Sequence, residues 1–120
     1  MDRPPEPSQP GGFPQVSGMR FSFDASRKAG SRVVDITVKG QPLIDSKKYS
    51  LTTTTFLAVD GGDGYSVLKG APVITPPEKL PLDSDVFQRL IRVQKLVRPR
   101  VEGRITRLDK AAKPQTDCEQ

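Results

Sequence analysis

A glycine-rich turn with a central carboxylate and two neighbouring aromatic residues is the part of this sequence best suited to bind a ligand. In chain order, its members are Phe56, Gly61, Gly62, Asp63, Gly64 and Tyr65. Glycine adopts backbone angles that side chains forbid, so such a loop can fold tightly and let a ligand approach the main chain. The aromatic faces can stack on a flat ring, and the carboxylate can accept hydrogen bonds from hydroxyl groups. Because a carboxylate repels phosphate, the turn indicates a nucleoside more than a bare anion.

Asp63 and the upstream Phe13 also have ordinary structural interpretations, whereas Phe56, beside the glycine turn, is less easily explained in this way. Aspartate is a common turn former, so from spacing alone a turn-forming role and a binding role for Asp63 are equally compatible with the sequence. A phenylalanine of a β domain, such as the upstream Phe13, is usually a core residue. Arg20, Arg32 and Lys69 belong to no such pattern and are interpreted as surface charges.

Alternating apolar residues predict the strands that must position the turn. Residues 19–23 and 34–38 each have the period of a half-buried strand. Polar residues 24–30 between them predict a turn, and the Gly40-Gln41-Pro42 sequence is expected to break the second strand. A third strand is predicted over residues 49–53, where a threonine run favours extended backbone. This strand would deliver Phe56 to the glycine turn.

A proline-rich connection and an amphipathic helix are predicted to follow the strands. Four prolines between Pro72 and Pro81 exclude regular structure over most of that interval. Asp83 or Ser84 is expected to cap a helix that ends before Pro99. Its apolar face consists of Val86, Phe87, Leu90, Ile91 and Val97. The predicted fold is therefore of the α+β class, a small antiparallel sheet covered by a C-terminal amphipathic helix.

Composition limits the chemistry that this chain can perform. The 120 residues fit one domain, and they contain no histidine. The 14 acidic residues show no spacing typical of metal ligands, so we expect neither a metal site nor a cofactor in this chain. The single cysteine, Cys118, lies in a polar tail and is interpreted as an incidental thiol. We find neither a secretory signal nor a membrane span, so cytoplasmic residence is the default expectation.

The charge pattern raises nucleic acid as an alternative partner. The chain has a formal charge of +5, and the predicted helix carries Arg89, Arg92, Lys95 and Arg98 on or beyond its polar side. Basic residues neutralise phosphates, and exposed aromatic rings can stack on single-stranded bases. A charged outer face is also the ordinary appearance of an amphipathic helix. Since no nucleic-acid-binding motif accompanies the charge, we do not expect a nucleic acid partner.

Four segments, taken in order, resemble the C-terminal, substrate-binding domain of the 5'-nucleotidase family. They are residues 12–21, residues 24–34, the stretch from Thr54 to Tyr65, and residues 101–105, which look like the family's closing strand. The resemblance implies that Phe13 and Phe56 sandwich the nucleobase and that Asp63 binds the ribose hydroxyls. It leaves Gly61, Gly62, Gly64 and Tyr65 as loop support. Family members often have asparagine where this chain has Thr55, and some have phenylalanine in place of Tyr65.

The resemblance also implies that the chain carries only part of the family domain. We expect a flexible proline-rich leader at 1–12, a partial domain at 13–108 and a polar tail at 109–120. Residues 1–10 resemble nothing in the family, and the upstream part of the family domain supplies arginine and asparagine contacts that this chain lacks. In the family, two divalent metal ions lie on a separate phosphoesterase domain, and its members are commonly periplasmic, secreted or at the cell surface.

Two functional hypotheses follow. The first is a nucleotide- or nucleoside-recognition domain of a 5'-nucleotidase-like phosphohydrolase in nucleotide catabolism, dependent on a metallophosphoesterase domain from elsewhere. The second is a non-catalytic remnant or interaction module without useful ligand binding. A truncated sheet would leave an open edge, which makes a second copy of the chain a further candidate partner.

Overall fold

A small four-stranded sheet is the main β structure of the chain. The computed structural model describes residues 12–110. Its strands are β1 (Met19–Phe23), β2 (Val33–Val38), β3 (Gln41–Pro42) and β4 (Ile105–Arg107), in the spatial order β3-β2-β1-β4. The first two strands match the alternating segments of the sequence. Because β4 runs parallel to β1 while β2 is antiparallel to both β1 and β3, the sheet is mixed and not purely antiparallel.

The second strand ends at Val38, before the predicted break at Gly40-Gln41-Pro42, but the chain then turns back and forms the short strand β3. Lys39 and Gly40 both have positive φ, 50° and 78°, which is the backbone of a two-residue type I′ hairpin. Gln41 then pairs with Val38, and Pro42 pairs with Thr37. A proline is tolerated in β3 because this strand lies at the edge of the sheet, where one row of amides has no partner strand.

The predicted turn between β1 and β2 is organised by Asp24. Its Oδ1 accepts hydrogen bonds from the Ser26 amide at 2.9 Å and the Ser26 hydroxyl at 2.5 Å. The guanidinium of Arg27 lies 3.4 Å from Oδ2. The hydroxyl and amide of Ser26, followed by the charge of Arg27, lower the pKa of Asp24 below its ordinary value. Local side-chain hydrogen bonding of this kind is the usual role of aspartate in a turn.

A second carboxylate joins this turn to β4. Asp109 accepts hydrogen bonds from Arg107 at 2.9 and 2.8 Å and from the Ala25 amide at 3.0 Å. The bond from Arg107, and after it the Ala25 amide, hold the pKa of Asp109 well below its usual range. Arg20, interpreted from sequence as a surface charge, donates to the Gly103 carbonyl at 3.1 Å, just before β4. Both ends of the parallel β1–β4 pair are therefore fixed by side chains.

The predicted third strand is wrong. Residues 49–53 form no strand, and the residues after them form the one-turn helix α1 (Thr55–Ala58). The Leu57 and Ala58 amides donate to the Thr54 carbonyl, so the last residues of the threonine run start a helix instead of continuing an extended segment. β propensity alone does not form a strand, because a strand needs a partner with which to share its hydrogen bonds. Three single 3₁₀ turns follow, at Gly62–Gly64, Ser66–Leu68 and Pro77–Lys79.

The predicted amphipathic helix is present as α2 (Asp83–Gln94). It begins one or two residues earlier than expected, because the N-cap residue is Leu82 and not Asp83 or Ser84, and no side chain caps the helix. It ends where Lys95 adopts a positive φ of 58°, so Val97 lies beyond it. The apolar side chains of the helix remain between 40% and 56% exposed at Val86, Phe87, Leu90 and Ile91.

The chain divides into two compact units. The first, here called the loop unit, comprises Met1–Pro14 and Lys48–Pro99, and the second, the sheet unit, comprises Gln15–Lys47 and Arg100–Gln120. Within residues 12–110, no side chain of either unit is buried. No helix among these residues has the length and apolar character that a membrane span requires. The α+β class is confirmed, while the boundaries predicted at residues 12 and 108 stay predictions.

Candidate functional site

The short helix α1 presents Phe56 to the glycine turn. Thr54, with ψ of 154°, is still extended, and the helix closes with the Val59 amide donating to the Thr55 carbonyl at 2.8 Å. The backbone therefore changes from extended to helical just before Phe56. A phenylalanine placed in a single helical turn next to a loop can turn its ring onto that loop.

The glycine turn adopts the left-handed backbone that its composition predicts. Gly61 and Gly64 have φ of 68° and 84°, and Asp63, between Gly62 and Gly64, has φ of 51° and ψ of 24°. Aspartate is one of the few residues with a side chain that tolerates this region. The Tyr65 amide closes the turn by donating to the Gly62 carbonyl at 3.0 Å.

The ring of Phe56 lies directly against Gly62. A Cβ atom built on Gly62 would overlap the Cζ, Cε1 and Cε2 atoms of this ring. Gly62 does not have a positive φ, so the close approach of the ring, and not the backbone angle, makes glycine necessary there. Phe56 and the turn therefore form one contiguous surface.

The segment that carries Phe13 lies beside the same turn. The Tyr65 hydroxyl donates a hydrogen bond of 3.1 Å to the Gly12 carbonyl. A Cβ atom on Gly12 would lie 3.6 Å from the Asp63 carbonyl oxygen and 3.9 Å from the Asp63 Cβ. Phe13 follows Gly12 directly in the chain, so all the candidate residues belong to one small region of the loop unit.

This region is an open surface. Phe13 is 47% exposed and Phe56 is 52% exposed, and Asp63 is exposed as well. Among residues 12–110, none donates a hydrogen bond to the Asp63 carboxylate. The arrangement offers aromatic surface and an accessible hydrogen-bond acceptor, which are the groups that a base and a sugar diol require.

Two further residues belong to the region although sequence reasoning does not include them. Gly12 supplies the carbonyl that Tyr65 binds. Lys69 is a surface charge by sequence alone, yet its Cδ and Cγ would lie 2.8 and 3.2 Å from a Cβ atom on Gly61. Its aliphatic stem therefore lies against the turn. No pattern in the sequence indicates this contact.

Two further kinds of site bear on the chemistry of this chain, a groove and a metal centre. A groove beside α2 contains none of the candidate residues, and it is lined by Pro81, Asp85, Val86, Gln88, Arg89 and Arg92. Residues 12–110 contain no group of three or more His, Cys, Asp or Glu side chains that could hold a metal ion.

A family model described as the 5'-nucleotidase C-terminal domain matches residues 4–70, more than half of the chain. The chain belongs to this family. The matched region contains Phe13, Phe56 and the whole glycine turn. It also begins before the predicted start of the domain, so the expectation that residues 1–10 resemble nothing in the family is wrong from residue 4 onward. The structure of those residues lies outside the described range.

Individual proteins give the same assignment. The chain is 37% identical over 115 residues to a 5'-nucleotidase of Diplobatis ommata, covering 85% of this chain and 18% of that protein. It is 39% identical over 103 residues to a snake venom 5'-nucleotidase of Macrovipera lebetinus, covering 79% of this chain and 24% of that protein. The crystal structure of a 5'-nucleotidase precursor from Thermus thermophilus matches with a TM-score of 0.71 and 39% identity, over 81% of this chain and 20% of that one.

These matches confirm the family and the fold of the C-terminal domain. The chain spans only about a fifth of the length of these relatives, between 18% and 24%. They do not test the ligand contacts of individual residues. Base stacking by Phe13 and Phe56, ribose binding by Asp63 and cytoplasmic residence stay predictions.

Proposed function

We propose that this chain is the nucleoside-recognition part of a 5'-nucleotidase-type phosphohydrolase. In this proposal Phe56 and Phe13 stack on the nucleobase, and Asp63 accepts hydrogen bonds from the ribose hydroxyls. The observation that carries it is the packing of the Phe56 ring against Gly62, directly beside the exposed Asp63. The family assignment supports the same class of ligand.

The arrangement supports a nucleoside as ligand because the Phe56 ring lies on Gly62, which directly precedes the exposed Asp63 in the chain. An aromatic ring stacked on a base stabilises binding by about 1–3 kcal/mol, whatever the base. A carboxylate that accepts a hydrogen bond from a hydroxyl contributes about 1.5–3 kcal/mol. We therefore expect broad base preference combined with discrimination against sugars that lack hydroxyl groups.

Catalysis is proposed to need more than this chain. The sequence has no histidine, and two-metal hydrolysis needs several ligands converging on one site. The chain would bind and orient the nucleoside so that its 5'-phosphate is presented to a metallophosphoesterase domain. Positioning of this kind can contribute up to about 7–11 kcal/mol in favourable cases.

An NMR titration tests the proposal. Amide spectra of the full chain are recorded with increasing adenosine, and the expected result is a set of shifts confined to the neighbourhoods of Phe13, Phe56 and Asp63. Phe56→Leu should weaken binding about tenfold. Phe87→Leu is the matched control, because Phe87 is a phenylalanine of the loop unit with nearly the same exposure, 56% against 52%. Equal affinity in the Phe56 and Phe87 variants would disprove the stacking role of Phe56.

The sugar contact and the second aromatic residue are tested separately. Asp63→Asn should weaken adenosine binding about tenfold while leaving 2',3'-dideoxyadenosine unaffected. Asp60→Asn removes the carboxylate directly before the glycine turn and should change neither affinity. Phe13→Leu should weaken both ligands equally if Phe13 stacks on the base. An unchanged affinity would leave Phe56 as the sole stacking residue.

One observation favours the alternative of a remnant without useful binding. None of the residues between 12 and 110 is buried, so the described chain lacks the interior that normally stabilises a domain. In that case the amide spectrum would be collapsed, or dispersed but insensitive to adenosine. Either result would reject nucleoside recognition by this chain alone.

A further inference from the structure

The hydrogen bond between the Tyr65 hydroxyl and the Gly12 carbonyl joins two segments that lie 53 residues apart in the sequence. Its length is 3.1 Å, and it is partly shielded from solvent. Tyr65 is also bound to the glycine turn through its backbone, because its amide donates to the Gly62 carbonyl. The residue thus connects the turn on one side with the segment that precedes Phe13 on the other.

The Gly12 end of this hydrogen bond lies beside Asp63. A Cβ atom on Gly12 would lie within van der Waals distance of Asp63, at 3.6 Å from its carbonyl oxygen and 3.9 Å from its Cβ. Asp63 is in the left-handed region, and its carboxylate accepts no hydrogen bond from the described residues. Gly12 therefore lies beside the backbone and Cβ of Asp63, the atoms from which this carboxylate projects.

We propose that Tyr65 is a positioning residue, whose hydroxyl holds the Gly12–Phe13 segment against Asp63 and so fixes the carboxylate for a ribose diol. The proposal rests on the nucleoside-recognition function stated above. Tyr65 itself need not touch the ligand. Ordering the two segments before the ligand arrives would reduce the conformational entropy lost on binding, which improves affinity without a new contact.

The test compares Tyr65→Phe with Tyr49→Phe in the full chain. Tyr65→Phe keeps the ring and removes only the hydroxyl that Gly12 binds. Tyr49→Phe removes a hydroxyl from another tyrosine of the loop unit, which lies outside the glycine turn. Amide spectra are recorded without ligand, and affinities are measured for adenosine and for 2',3'-dideoxyadenosine.

The expected result is specific to the diol. In Tyr65→Phe the unliganded amide signals of Gly12, Phe13 and Asp63 should shift, and adenosine should bind about fivefold more weakly, as expected for one lost hydrogen bond. The affinity for 2',3'-dideoxyadenosine should change much less. A role limited to stability would lower both affinities by the same factor, and that outcome overturns the proposal. The proposal is also overturned if Tyr65→Phe has the same spectrum and affinities as Tyr49→Phe.

Failure of the underlying function is recognised independently. If the unmodified chain binds neither ligand, nucleoside recognition is rejected, and with it the effect of Tyr65 on a ribose. The unliganded spectra then decide whether the hydroxyl connects the two segments at all, and unchanged Gly12 and Asp63 signals in Tyr65→Phe would reject that connection as well.

Discussion

In the sheet unit, backbone ladders between β1 and its neighbours are reinforced by the Asp24 and Asp109 carboxylates, each of which binds backbone amides as well as side chains. In the loop unit, the candidate site is formed by glycines that allow a ring to approach closely or that adopt a left-handed backbone. Its parts are held together by isolated contacts, such as the Phe56 ring on Gly62 and the hydrogen bond from Tyr65 to Gly12. The sheet unit therefore has many redundant interactions. The candidate site of the loop unit depends on single residues.

This contrast between the units determines where a substitution should matter. Loss of one hydrogen bond in a ladder leaves its neighbours in place, whereas loss of one contact in the glycine turn displaces the group that the contact holds. Low local stability is common in binding loops, because ligand contacts are made by residues that are not also part of a packed interior. We therefore expect the largest functional effects in the loop unit and the clearest effects of pH on stability in the sheet unit.

Gly62→Ala should have the largest effect. The new Cβ atom overlaps the Phe56 ring, and because the ring is 52% exposed it can rotate away from the turn at a cost of about 1 kcal/mol in stability. The contact with the turn would then be lost, and adenosine should bind at least about tenfold more weakly. The measurements are urea unfolding, nuclear Overhauser contacts from the Phe56 ring to residue 62, and the adenosine titration.

Gly64→Ala is the matched control for this substitution. Gly64 has a positive φ of 84° but nothing lies within 4 Å of an added Cβ atom. Alanine there should therefore cost about 1 kcal/mol of stability through backbone strain alone, while the Phe56 ring stays in place. If both variants kept the ring contacts, the structural role assigned to Gly62 would be disproved.

Lowering the pH should destabilise the sheet unit. The pKa values of Asp24 and Asp109 are both lowered in the folded chain. A carboxyl with a lowered folded pKa stabilises the fold fully above its unfolded pKa of about 4, and this stabilisation is lost as the pH falls below that value. The urea midpoint reported by β1 and β4 amides should thus fall between about pH 5 and pH 2.

Asp109→Asn separates this effect from general acid unfolding. The variant cannot form the ion pair with Arg107, so it should be less stable than the unmodified chain at about pH 5 and should lose less stability on acidification. Parallel pH curves for the two proteins would contradict the role of Asp109. Asp24 stays in both proteins, so some pH dependence should remain in the variant.

The same difference between the units explains what could be predicted from sequence. β1 and β2 follow from alternation, because each has a neighbour that completes its hydrogen bonds. Residues 49–53 alternate equally well but belong to no strand of the described sheet. The short β3 is missed because Gly40 and Pro42 are typical strand breaks, although Lys39-Gly40 is the turn of a hairpin. Alternation shows which residues are able to form a strand, and pairing decides which do.

For the candidate site, composition predicts the local backbone but not the contacts over distance. A glycine-rich turn around Asp63 is expected to be tight and left-handed, as observed. Glycine is necessary at residue 62 because the Phe56 ring lies against it, and this contact depends on the helix α1 that carries Phe56. The sequence predicted a strand leading to Phe56 and therefore did not predict this contact. The contact between Gly12 and Tyr65 crosses 53 residues, so no local pattern indicates it.

A smaller effect is expected from Leu90→Ala in α2. Leu90 is 42% exposed, so its truncation removes little buried apolar area and should cost about 1 kcal/mol or less, against about 2–5 kcal/mol for a buried leucine. Leu57→Ala in α1 is the comparison, because Leu57 is half-buried and should cost more. Urea unfolding measures both. A loss of several kcal/mol at Leu90 would show that the apolar face of α2 is buried in solution.

The smallest expected effect is a gain in stability in the sheet unit. Lys39 occupies the first position of the type I′ turn with φ of 50°, where asparagine is better tolerated than lysine. Lys39→Asn should therefore stabilise the β2–β3 hairpin by about 0.5 kcal/mol, measured as a raised urea midpoint of the β2 amides. Lys28→Asn makes the same change of charge at a residue without positive φ, and it should bring no gain. If the two substitutions raised the urea midpoint equally, the gain would come from the lost charge and not from relief of backbone strain. Neither substitution should change adenosine binding in the loop unit.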